Sequence, residues 1–139
     1  MNIFTHITLF AIYSVFLTFG YRLLNIVLPI LNSDYNDIKP AHKKYYVCSN
    51  VLKSLFFFYF TTDALYLLYS ICILDTWDEE RVQYLGLMYT GLDTVSLFMV
   101  PKMQLNTKIH HISVMILHSY CLFYNYEVGE MLKIILVYA

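Results

Sequence analysis

The chain has 139 residues, of which 59% are hydrophobic and 14% charged, with mean hydropathy +0.56. Soluble domains carry about 45–50% apolar and about 25% charged residues, so this balance points to a membrane protein. A formal net charge of −1 argues against a nucleic-acid partner, and three cysteines, Cys48, Cys72 and Cys121, fit neither a disulfide framework nor a metal-ligand spacing.

A helix needs about 20 apolar residues to cross the hydrocarbon core. Residues 3–20 predict the first span, and 21–31 its continuation at the interface, weakened at Pro29. A cleaved signal peptide is the rival reading. It is disfavoured because no basic side chain precedes the apolar run and no clear small-residue cleavage site follows it. Residues 32–50 read as a polar, basic connection. The second span is 51–74, with an aromatic run at 56–60, and an acidic loop carrying Trp77 follows at 75–81. The third span is 82–100, the short basic loop 101–108, and the fourth span 109–126. Residues 131–139 begin a fifth apolar run that reaches about 13 Å, less than half a membrane, which predicts a C-terminally truncated chain. The apolar runs lack the alternation of barrel strands. The fold class expected is therefore all-α: one multi-spanning transmembrane helix bundle over 1–139, with four full spans and the start of a fifth.

Basic residues favour the cytosolic side. Four spans place Arg22, Lys39, Lys43, Lys44, Lys53, Lys102 and Lys108 on one side, and only Arg81 and Lys133 on the other. The amino terminus is thus expected to be lumenal or extracellular.

This topology sorts the ionisable groups by depth. His110 and His111 open the fourth span at its cytosolic mouth, with Lys53 near the cytosolic start of the second. Asp63, Asp93 and His118 lie roughly 18, 11 and 14 Å from the cytosolic ends of their spans. Against lipid, an Asp costs at least about 2.5–3.5 kcal/mol. The three are therefore expected to face one interior cavity, entered from the cytosol, with Lys53 beside it as ligand-binding groups. His111 and His118 are seven residues apart and share a helix face. Bis-histidine haem ligation is set aside, because these two share one helix, His6 lies on the other side and His42 falls in a loop. No metal site is expected.

The stretch YTGLDTVSLFMVPKMQLNTKIHHISVMILHSYCLFYNYEVGE, residues 89–130, resembles the TLC-domain family of endoplasmic reticulum membrane proteins, which includes the ceramide synthases. An intramembrane Asp93, a short loop with Lys102 and Lys108, and the pair His110-His111 carry the resemblance. KKYYVCSNVLKSLFFF, residues 43–58, is similar to the polar-to-apolar helix start upstream in that family, so the likeness covers about 43–139. It implies an endoplasmic reticulum protein whose partner is a membrane lipid, with no cofactor and with self-association left open. In ceramide synthases the His pair is implicated in acyl transfer from acyl-CoA, which would make His110 and His111 catalytic and acyl-CoA a substrate. Those enzymes also carry paired aspartates after the His pair, where this chain has Glu127 and Glu130. The resemblance therefore implies first a non-synthase member that binds or regulates lipids, and second an acyl-CoA-dependent N-acyltransferase.

Overall fold

The computed structural model describes residues 2–123, and the apolar run at 131–139 lies outside them. The described residues are helical, without strands, in the order α1 (Ile3–Leu31), α2 (Asp34–Asp37), α3 (His42–Cys72), α4 (Glu79–Met99) and α5 (Leu105–Phe123).

Asn2 starts α1 by accepting a hydrogen bond from the Phe4 backbone N–H at 3.0 Å, which satisfies one of the free donors of the first turn. The helix then runs unbroken for 29 residues, about 43 Å, through Pro29 and into its last turn. The Asn32 N–H closes it on Leu28 O. The single turn α2 folds over this end of the bundle. Its buried Tyr35 donates to Asn25 Oδ1 at 2.7 Å and lies 3.3 Å from Cys48 Sγ. Burial pushes the Tyr35 phenol well above the ordinary tyrosine range.

The stretch 32–50 is not one long connection, since α3 already begins at His42. Its first turns are held by tertiary packing: Tyr45, Tyr46 and Val47 pack against the cluster that contains Tyr35 and Cys48. Tertiary burial thus makes a helix where polar composition predicts a loop. Asp78 caps α4 by accepting from the Arg81 N–H, and Glu79 and Glu80 in its first turn complement the helix dipole. Lys102, at φ 58°, turns the chain between α4 and α5. Because α5 starts at Leu105, His110 and His111 lie in its second turn rather than at its opening.

At the centre stands α4, which packs against α1, α3 and α5, while α1 also packs against α3. Every residue from 90 to 96 is buried, so α4 is covered on all sides at this level. Gly91 permits the closest approach: a Cβ there would sit 2.8 Å from Tyr13 Cδ1. Around Ser96 three helices are tied together. Tyr21 Oη lies 2.9 Å from Ser96 Oγ, Ser49 Oγ lies 3.2 Å from it, and Ser96 donates back to Leu92 O.

Polarity is arranged inside out. Asp93, Ser96, His6 and His111 are buried, whereas Phe4, Phe58 and Phe98 are 76%, 85% and 82% exposed. Two helices, α1 and α3, are long and apolar enough to cross a bilayer. Over the described residues, the helices α4 and α5, read from sequence as full spans, do not meet that measure of length and apolarity. In α4 the shortfall has a plain origin: Gln83, Thr90, Asp93, Thr94 and Ser96 are polar but face other helices.

Candidate functional site

The buried face of α4 carries Asp93 into a junction with α3 and α5. Lys53, four residues beyond Ser49 and so on the same face of α3, reaches down and donates to Asp93 Oδ1 at 2.8 Å. From α5, His111 Nδ1 lies 3.0 Å from the same oxygen, in a contact without hydrogen-bond alignment. His110 Nε2 stands 3.9 Å from Oδ2. Four of the six residues singled out from sequence are thereby brought together: Lys53, Asp93, His110 and His111.

The electrostatics are those of a sealed base with one open side. The Asp93 side chain has no exposed surface and that of His111 keeps 4%, while those of Lys53 and His110 keep 24% and 42%. A buried carboxylate is tolerable only when paired, and Lys53 supplies the opposite charge. The Lys53 ammonium is thereby tied to the buried carboxylate while its side chain keeps partial exposure.

The other two expected members do not join this group. His118 lies seven residues along α5 from His111, about 10.5 Å deeper. There its Nε2 meets His6 Nε2 of α1 at 2.9 Å, with ring centroids 5.0 Å apart. Asp63 is half-buried on α3 and contacts neither group. The expectation of one cavity floored by Asp63, Asp93 and His118 is corrected to two separate polar clusters. Depth counted from loop ends missed this, because Asp93 is level with His111 rather than with His118.

Sequence reasoning also missed His6, Tyr21, Ser49 and Ser96. A signal existed for most of them. Ser49 and Lys53 are spaced by four on α3, and Asp93 and Ser96 by three on α4, so each helix shows a short polar stripe on one face. His6 is a lone imidazole in an otherwise apolar run, a placement that asks for an interior partner.

The class defined at this point is a protein helical over the described residues, with two bilayer-length apolar helices and a Lys–Asp–His constellation whose Asp93 and His111 are buried and whose Lys53 and His110 are partly exposed. Comparison of the chain with protein-family models, curated proteins and solved structures gives no match.

Proposed function

We propose that the chain is an integral membrane protein of TLC type that binds or regulates membrane lipids. In this reading α1, α3, α4 and α5 are its four spans, in the endoplasmic reticulum membrane with the amino terminus lumenal. Lys53, Asp93, His110 and His111 form the polar end of the lipid site. The observation that carries the reading is the Lys53–Asp93–His111 contact, buried at Asp93 and His111 and partly exposed at Lys53 and the neighbouring His110, on a bundle whose outer faces are apolar. A lipid can place a polar headgroup on such a group while its chains stay in the bilayer. The test is lipid retained by the purified chain, measured by mass spectrometry. His110→Ala and Asp93→Leu should lose bound lipid that Val95→Leu keeps. Equal retention in all three would remove the assignment.

One geometric feature favours a second reading, transfer of an acyl group from acyl-CoA to a lipid amine. The Nδ1 edge of His111 faces the Asp93 carboxylate, which leaves Nε2 as the nitrogen available for proton transfer. As general base, Nε2 would take the amine proton as nitrogen attacks the thioester carbonyl, and the departing thiolate would then be protonated. General acid–base catalysis contributes typically about 10²–10⁴-fold. An acyl-CoA-dependent assay with sphingoid amines separates the readings. Loss of turnover in the His110→Ala/His111→Ala double variant supports catalysis. Turnover within about threefold of wild type would exclude it at these residues, being far below that contribution.

A further inference from the structure

One ring nitrogen each of His110 and His111 and one carboxylate oxygen of Asp93 all lie within 4.8 Å of one another. Two buried atoms in this space, Asp93 Oδ2 and His111 Nδ1, have no hydrogen-bond partner. Buried polar atoms are nearly always satisfied, so two orphans side by side ask for a missing partner. His111 Nδ1 lies 3.0 Å from Oδ1 without the alignment of a hydrogen bond. Where the nitrogen presents its lone pair, it and the free carboxylate oxygen are donors that one bridging cation would satisfy together.

The backbone explains how two neighbouring histidines can serve one centre. Adjacent residues of a helix point about 100° apart, so the two rings approach Asp93 from different directions. Their centroids lie 5.6 Å apart, with the planes inclined at 59°. Donor atoms of a tetrahedral zinc site stand about 3.3 Å apart for bonds near 2.0–2.1 Å. The present separations from the Asp93 oxygens, 3.0 Å for His111 Nδ1 and 3.9 Å for His110 Nε2, bracket that value. Two imidazoles with one carboxylate suit first-row divalent transition metals and leave a coordination position open, whereas calcium and magnesium prefer all-oxygen shells.

We propose that Asp93, His110 and His111 bind a divalent transition-metal ion, with Lys53 as the outer partner that orients the carboxylate. Lys53 holds Oδ1, which His111 also approaches, while Oδ2, on the His110 side, keeps no hydrogen bond. Metal-ligating carboxylates are commonly fixed by such outer hydrogen bonds. Charge then sets what fills the open position. A divalent ion, one carboxylate and one ammonium leave an excess of positive charge in the core, which favours an anion: a hydroxide, or the phosphate or carboxylate of a lipid headgroup. The metal site goes beyond the lipid reading and does not depend on it.

The test uses the full chain, purified in lipid-free detergent without a polyhistidine tag, stripped with chelator and titrated with Co²⁺. The expected result is one tightly bound Co²⁺ per chain, with the visible absorption of a low-symmetry nitrogen–oxygen site. His110→Ala removes a half-exposed ligand with little risk to folding, verified by helical circular dichroism, and should weaken Co²⁺ by about tenfold or more. Lys53→Met should weaken it by about 10–100-fold, as loss of outer-shell partners does. His42→Ala, at the start of α3, should change nothing. A folded wild type that takes up no Co²⁺, or a His110→Ala variant that binds it as wild type does, overturns the site. Since no lipid is present, this outcome is independent of the lipid-retention result.

Discussion

His6 Nε2 and His118 Nε2 lie 2.9 Å apart, joining α1 to α5 across 112 residues of chain. One nitrogen donates and the other accepts, so at least one of the two imidazoles is neutral. Both are buried, His6 at 2% and His118 at 8% exposure. The pair clasps the end of the bundle opposite to the one that α2 closes.

A double-mutant cycle measures that clasp. His6→Leu and His118→Leu should each destabilise the detergent-solubilised protein, and the double variant should cost less than their sum. Interhelical hydrogen bonds in membrane proteins couple by about 0.6 kcal/mol on average and up to about 1.7 kcal/mol, and this buried pair belongs in that range. Strict additivity in reversible unfolding would mean that the two rings do not interact.

Breaking the Lys53–Asp93 ion pair should cost more than removing it whole. Asp93→Leu leaves a cation without its partner, at a cost of about 3 kcal/mol. Partial exposure of the Lys53 side chain, 24%, lets the ammonium turn toward the open side and lowers that figure. Asp93→Leu combined with Lys53→Met should recover most of the loss. Unfolding midpoints of the three variants decide the point, and a double variant less stable than Asp93→Leu alone would contradict it.

Two glycines separate rigid from yielding contacts. A Cβ at Gly91 meets the Tyr13 ring at 2.8 and 3.2 Å, and that ring is itself packed against Phe56. Gly91→Ala should therefore cost about 1–3 kcal/mol, in the range of overpacking. At Gly20 the Cβ meets the two Leu52 methyls, at 3.0 and 3.8 Å, the end of a flexible side chain. Gly20→Ala should be close to neutral, and thermal unfolding of both variants in detergent checks the contrast.

Orientation in the membrane is read by labelling. With the native cysteines replaced, a single cysteine at Asn106 should react with an impermeant maleimide in sealed microsomes whose cytosolic face is outward. This follows from the clustering of basic residues on the side that holds the turn between α4 and α5. Reaction only after permeabilisation would place the His pair in the lumen.

Helix content was readable because apolar runs of bilayer length allow few alternatives to a helix. The Lys53, Asp93, His110 and His111 group was half legible. Each residue stood out as an ionisable group in an apolar setting, and unpaired groups of that kind seek the interior. Their grouping was not legible. The register of α4 against α5 puts Asp93 beside His111 and leaves His118 about 10.5 Å further along. Registers of this kind come from side-chain packing between helices, as where the Gly91 notch of α4 meets Tyr13 of α1, and no count from loop ends contains them.

Composition and hydropathic pattern alone therefore determined the helical class and marked the ionisable groups that stand in apolar segments. They did so because these depend on each segment's own transfer from water to an apolar phase. Tertiary structure alone decided that α3 begins at His42, that α4 is the buried centre, that His6 meets His118, and that Lys53, Asp93 and the His pair share one junction. Those outcomes depend on contacts between residues far apart in the chain, and a contact's partner is chosen by shape and register rather than by the composition of either segment.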